Sequence, residues 1–309
     1  MPIGADVSAQ YTEEAVGGGH PTKARVIDRL ALVEHHVDGK HNAAKFPIGC
    51  GGYFKYNSAT ECQLGKSASP GNFWGDAIPF NPASGDPYFL PLGAAKTISN
   101  AGLAATTNHF AYAWDTNDPD PALRVALELS TTAPDLTSNK LPIKTGDATR
   151  TLVGILRTGA GTPGVFVDSA TQRLVASFWN RVPRSAFSSF NSGSTASGTW
   201  VNLSNLKVVG FSGDLIRHTG SGYMSSDTIG GSALLTVSAD SALAGTGTAN
   251  QPTSAYTAPV ANYVGAFSVH FSEQLPGSGA RDSFLYILRG GAGGTASFFG
   301  ERHEILFLG

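Results

Sequence analysis

Charge is what this chain has least of. Of its 309 residues, 14% are Asp, Glu, Lys or Arg, against roughly 25% in an ordinary soluble domain. The 21 basic and 23 acidic side chains leave a formal net charge of −2. No basic field is present to hold a phosphate backbone, and no run of like charge suggests a tail that binds nucleic acid, so nucleic acid is not expected as a partner. Cysteine is nearly missing as well. Cys50 and Cys62 are too few for four-ligand structural zinc. They could bracket a hairpin closely enough for a bridge, although cytoplasmic synthesis favours two reduced, half-buried thiols. Nowhere do about 18 apolar residues run uninterrupted, so no membrane-inserted helix is expected. The opening MPIGADVSAQ has neither a basic nor an apolar leader region, and a chain made without secretory processing is expected. Asn202-Leu203-Ser204 matches a glycosylation acceptor, but without a secretory route the match is chance.

What the chain has in abundance is punctuation. With 38 Gly and 17 Pro, many turns and short strands are expected, on a neutral, hydroxyl-rich surface. Residues 1–19 are small and polar and end in three glycines, a composition that cannot build a core and reads as an arm laid on something else. The next segment, HPTKARVIDRLALVEHHVDGKHN from His20 to Asn42, is the one convincing helix. Val26, Leu30, Val33 and Val37 recur at the a/d spacings of a heptad seam, widened by Ile27 and Ala31. Pro21 suits the first turn and Gly39 the position past the last. A helix this short is marginal alone in water. Its stripe packs either on the β-body or against copies of itself; the register favours self-association, and the length of two heptads favours docking.

From Phe46 the text becomes Gly/Pro/aromatic (GGYFKY, GNFWGDAIPFNP, DPYFLPL), where prolines permit only short or edge strands. Strands are predicted at 109–114, 123–130, 151–158 and 173–180 from β-branched, aromatic or alternating residues. The uncharged stretch 185–199 reads as a linker or long surface loop. Six further strands are expected at 200–204, 206–211, 233–239, 263–272, 283–289 and 301–308, a spacing that argues for a sandwich or jelly roll. In YVGAFSVHFS, Phe267, Val269 and Phe271 face opposite to Ser268, His270 and Ser272, so that strand is half-buried. The nearly continuous Ile305, Leu306, Phe307 and Leu308 suggest burial on both faces or at a subunit interface. No repeat of 20–50 residues supports a solenoid. The predicted fold class is mainly β: an arm and short helix over 1–43, then two antiparallel sandwich or jelly-roll-like domains over 44–184 and 185–309.

Candidate chemistry is sparse. Gly159-Ala160-Gly161-Thr162-Pro163-Gly164 satisfies G-x-G-x-x-G after a predicted strand, but VFVDSATQRLVASF follows as a second strand. No helix N-terminus is left to receive a pyrophosphate, and the stretch reads as a glycine-rich hairpin. Asp115, Asn117, Asp118 and Asp120 crowd one loop, yet Asp120 and Ala126 stand where a calcium loop needs glycine and a bidentate glutamate, so turn chemistry explains them. Glu34, His35, His36, Asp38 and His41 form the densest metal-capable group. Neither His35 nor His36 lies on the helical seam, and capping of the helix C-terminus is favoured over an axial metal. No nucleophile elbow, zinc-protease helix or phosphate loop occurs. Phe73, Trp74, Phe80, Tyr88 and Phe89 could stack on sugars, but core packing is the simpler reading. No catalytic residue, cofactor or metal is therefore assigned.

Three segments carry a resemblance. ADVSAQYTEEAVGGGHPTKARVIDRLALVEHHVDGKHN resembles the N-terminal segment of fibre and spike structural proteins of tailed bacteriophages and phage-derived particles. LVGILRTGAGTPGVFVDSATQRLVASFWNR is similar to a β-segment recurring in those fibres, and TWVNLSNLKVVGF to the start of their terminal sandwich. The resemblance implies a non-enzymatic virion component, made in the bacterial cytoplasm and exposed on the particle. Residues 1–43 would bind other virion proteins, and the β-part would project towards host-surface polysaccharide. It also implies a homotrimer. A polysaccharide-degrading enzyme carried on the particle is the alternative, since two carboxylates brought together in space leave no linear signature.

Overall fold

The computed structural model describes residues 41–42, 51–65, 77–81, 87–137, 141–181, 183–239, 253–290 and 294–307. The helical seam of Val26, Leu30, Val33 and Val37 lies outside them, as do Cys50, Phe73 and Trp74. Nearly everything described is strand or turn, and antiparallel pairing prevails. The mainly-β class follows directly.

Two compact units divide the chain, one holding Met1–Ser99, His109–Gly154 and Ser177–Asn180, the other Asn100–Asn108, Ile155–Ala176 and Arg181–Gly309. In the first, β1 (His41–Asn42), β2 (Tyr53–Ser58), β3 (Glu61–Gly65), β4 (Ala77–Phe80), β5 (Tyr88–Pro91) and β6 (Lys96–Ser99) build two small sheets, β1-β5-β4 and β2-β3-β6. A longer sheet runs β8-β7-β11-β10-β9, from β7 (Asn108–Asp115), β8 (Val125–Ser130), β9 (Pro134–Asp135), β10 (Ile143–Lys144) and β11 (Asp147–Arg157). The expected aromatic packing is present: Phe80, Tyr88 and Phe89 are buried, as is Cys62 on β3. Gly51 sits at φ 98°, and a Cβ there would lie 2.0 Å from the Trp179 ring, so this position needs glycine for both backbone and space.

Residues 121–124, read from sequence as partly strand, instead form a single helical turn. Asp120 accepts a hydrogen bond from the Ala122 N–H at 2.8 Å, and Pro121 stands in the first turn, the arrangement that starts a helix. The rest of the acidic loop is spent in the same way. Asp115 accepts from the Asn117 N–H and Asp118 from the Asp120 N–H, each at 2.8 Å, which is the turn chemistry expected of Asp and Asn. Arg124 adds two bonds to the Asp115 carboxylate at 3.0 Å. Burial raises the Asp115 carboxyl, but hydrogen bonds from Arg124 and Tyr88 outweigh it and hold the group below its ordinary value.

The second unit is a sandwich. One sheet runs β12-β15-β20-β17-β18 and the other β14-β21-β16-β19. Their strands are β12 (Gln172–Arg173), β14 (Arg184–Thr195), β15 (Val201–Gly210), β16 (Leu215–Ser226), β17 (Ser232–Ser238), β18 (Thr253–Thr257), β19 (Val264–Gln274), β20 (Gly279–Gly290) and β21 (Ala296–Phe307); β13 (Val175–Ser177), which precedes β14, belongs to the sheet of β11. Only β12 and β15 pair in parallel. Leu235 and Val237 of β17 and Leu285 and Ile287 of β20 pack on Met224 of β16, Phe267 and Val269 of β19 and Phe298 of β21. A second cluster joins Leu206 and Val208 to Ala186, Ile216, Ile305 and Phe307. The alternation read in YVGAFSVHFS holds, with Phe267 and Val269 buried and Ser268, His270 and Ser272 exposed. In the last strand Ile305 and Phe307 are buried between the sheets, while Leu306 is half-buried.

Three expectations are corrected. Residues 185–199, read as linker or loop, are mostly β14, which pairs with β21 from Arg184 opposite Phe307 to Thr195 opposite Ala296. Backbone pairing needs no apolar pattern, and an edge strand of serines satisfies it. The separate strands expected at 200–204 and 206–211 are one strand, β15, with a register shift between Asn202 and Ser204. β13 and β12 replace the single strand expected at 173–180. The glycine-rich stretch after β11 is a hairpin, as read: the Gly159 N–H donates to Val165 O at 2.7 Å, and Thr158 bridges Phe166.

Candidate functional site

Two features of the sandwich bring chemistry-bearing side chains together. The first is the outer face of the β14-β21-β16-β19 sheet. Register places Ser192, Phe299, Tyr223 and Ala266 side by side across its four strands, then Ser189, Arg302, Ser221 and Ser268, then Phe187, Glu304, Thr219 and His270. A register shift between Ser221 and Tyr223 puts both aromatic rings of the first row on the solvent side, with Tyr223 53% and Phe299 38% exposed. Arg302 pairs with Glu304 at 3.4 Å, and its guanidinium lies 5.9 Å from the Phe187 ring. The result is an apolar shelf rimmed by hydroxyls and one ion pair. That chemistry suits a ring with one apolar face and equatorial hydroxyls.

The second feature is inside. Ser204 of β15 bonds to Nδ1 of His303 on β21, whose Nε2 is 2.8 Å from the Ser283 hydroxyl on β20. That hydroxyl is 2.8 Å from Nδ1 of His218 on β16, and His218 Nε2 is 2.9 Å from the Glu273 carboxylate on β19. Arg281 of β20 closes the chain on Glu273, its Nε at 2.6 Å. Phe271 stacks on the His218 ring at 4.3 Å. His218, Ser283 and His303 have no solvent exposure. Burial, with the neighbouring charge on His218, drives the His303 imidazole down to about 3. Burial raises the Glu273 carboxyl, but hydrogen bonds from His218 and Arg281 and their charges outweigh it and hold the group at about 2.

Glu273, His218 and Ser283 are the residue types of a hydrolytic triad, but the arrangement does not perform that chemistry. Ser283 is sealed between the sheets and its oxygen already bridges two imidazoles, so no acyl group can approach it. The chain ties together two sheets and satisfies three buried polar side chains, His218, Ser283 and His303, at once.

Sequence reading places no residue of this chain in a site. Ser204 enters only through a chance glycosylation match, and β16, which carries His218, is not predicted at all. A signal exists for two of the remaining three: His303 shares parity with Ile305 and Phe307, and Ser283 with Leu285 and Ile287, so each is a polar residue at an inward position. Of the metal-capable group, only the His41 backbone is described, opposite Phe89. Glu34, His35, His36 and Asp38 lie outside the described residues.

No protein family and no curated protein matches the chain. Solved structures do. The infectious bursal disease virus VP2 subviral particle aligns with 88% of this chain and 62% of its own, at 13% identity and TM-score 0.31. The triple jelly-roll protein of an archaeal virus turret assembly aligns over 85% and 68%, at 10% and 0.22. The insecticidal delta-endotoxin Cry8Ea1 from Bacillus thuringiensis aligns over 84% and 51%, at 8% and 0.25. The chain thus spans less than two thirds of the VP2 chain. Virus shell and bacterial toxin stand together at these scores, so the likeness decides no function.

Proposed function

We propose that the chain is a virion structural subunit. In this reading residues 1–43 anchor it to the particle and to other virion proteins, the β-units project as a homotrimer, and the Tyr223–Phe299 shelf contacts host-surface polysaccharide. The resemblance of the opening segment and the two β-segments to phage fibre proteins supports the particle role. The observation that carries the contact is the shelf itself. Two aromatic rings are held side by side across β16 and β21, at a cost in exposed apolar area that packing within the sandwich does not explain. Its serine rim supplies hydrogen bonds without charge.

The test is retention of the full-length protein on immobilised surface polysaccharides extracted from a panel of bacteria. Binding to at least one is expected, weakened roughly tenfold or more by Tyr223→Ala or Phe299→Ala, equivalent to about 1.4 kcal/mol. Both side chains face solvent, so the melting temperature should hardly move. Binding indifferent to both substitutions removes the shelf from the proposal. Shortened polysaccharide chains after incubation would replace it with the enzyme.

A further inference from the structure

With both imidazoles neutral and Glu273 ionised, valence gives the buried chain one direction. Glu273 is a carboxylate and accepts, so His218 carries its proton on Nε2 and its Nδ1 accepts from Ser283. The Ser283 proton being spent there, its oxygen accepts from Nε2–H of His303. His303 Nδ1 then accepts from Ser204. Every ring nitrogen and hydroxyl is satisfied with both imidazoles neutral, and the assignment is unique once Glu273 is ionised and neither ring is charged.

We infer that the Ser204–His303–Ser283–His218–Glu273 chain is a proton-operated switch between the two sheets, in which uptake of one proton reverses the hydrogen bonds from Ser204 to His218 in a single concerted step. A proton arriving at the Ser204 end bonds to Nδ1 of His303. His303 releases its Nε2 proton to the Ser283 oxygen, and Ser283 releases its own to Nδ1 of His218. One proton is gained and none is lost. His303 ends neutral with the opposite tautomer, Ser204 becomes an acceptor, and the charge rests on His218 beside the Glu273 carboxylate.

Geometry selects that end point. Ser204 lies at the partly exposed end of the chain, whereas His218 has the facing carboxylate. Around the two rings, β15 contributes Ser204, β20 contributes Ser283 and Arg281, β19 contributes Glu273, and β14 places Ser188 opposite His303. A charge left on His303 would have neutral serines for neighbours, in keeping with the low value of its imidazole. The switched state keeps all four inter-residue bonds and pairs its one charge. A second proton finds no such place, and the clamp between the sheets then opens.

The experiment is a nitrogen-15 NMR titration of ring-labelled histidine in the full-length protein from pH 8 to pH 4, with His218→Gln and His303→Gln used for assignment. Both rings should be neutral Nε2–H tautomers at pH 8. On acidification His303 should exchange to the Nδ1–H tautomer at the same midpoint at which His218 becomes charged. In Ser283→Ala the His218 charge should appear without the tautomer change. Independent midpoints, an Nδ1–H tautomer on either ring at pH 8, or His303 keeping its tautomer while His218 charges would each overturn the switch. If the Ser283 variant does not fold, the wild-type titration decides alone.

Discussion

At the scale of single residues, the second unit stores its acid sensitivity in two side chains with opposite chemistry. His303 is held neutral down to about pH 3, whereas the unfolded chain takes up that proton near 6.5. The unfolded state therefore binds more protons between those values. The resulting stabilisation is complete above about pH 6.5 and is lost progressively towards pH 3. Glu273, lowered to about 2, adds stability that is complete above its unfolded value near 4.5 and is lost below it. The two windows overlap between about pH 4.5 and 3. A melting temperature flat above about pH 7, falling from there and falling faster below about 4.5, is expected by differential scanning calorimetry. The His303 share is on the order of a few kcal/mol. His303→Gln should lie lower at neutral pH and stay level down to about 4.5. A wild-type melting temperature unchanged between pH 7 and pH 5 would contradict this account.

At the scale of elements, β21 shows what periodicity reads and what it cannot. Its inward residues Ile305 and Phe307 alternate cleanly and are legible as a strand, and the same rule recovers most of β7, β8, β11, β17, β19 and β20. β14 and β16 escape it for opposite physical reasons. β14 is nearly all serine, glycine and small residues, so its pairing with β21 leaves no hydrophobic trace. Between its inward Ile216 and Met224, β16 places His218 and Gly220, and a Cβ on Gly220 would sit 2.8 Å from Leu285. The sheet there closes too tightly for an apolar side chain. The candidate site is less legible than the fold, because a hydrogen-bond chain drawn from five strands has no spacing in the sequence. Neighbours on β21 give the sharpest test of orientation. Phe298 is fully buried in the main cluster, and Phe298→Ala should cost about 3–5 kcal/mol. Phe299→Ala, one position on and facing solvent, should cost less than about 1 kcal/mol. Chemical denaturation of the two variants should separate them by at least 2 kcal/mol, on the same scale of core truncation; equal losses would mean that the register shift between β16 and β21 is misplaced.

At the scale of the whole molecule, the proposed homotrimer turns on how much of it residues 1–43 would hold together. Four seam residues per chain, Val26, Leu30, Val33 and Val37, offer about 1.5–3 kcal/mol each if fully buried. Ordering a helix of some twenty residues costs backbone entropy of about 1–2 kcal/mol per residue, only partly returned by its own hydrogen bonds. In the proposed trimer a seam of two heptads would therefore set register better than it supplies affinity, and most of the association energy would have to come from the β-units. Sedimentation at micromolar concentration should show the full chain at about three times its 32.0 kDa mass. Removing residues 1–43 should leave a trimer that dissociates on dilution some tenfold to a hundredfold sooner, the loss of about 1.4–2.8 kcal/mol, while attachment to the particle is abolished. A full-length chain that sediments as a stable monomer would count against the trimer. A truncated chain that is wholly monomeric at the highest concentrations would instead move the association energy from the sheets to the helix.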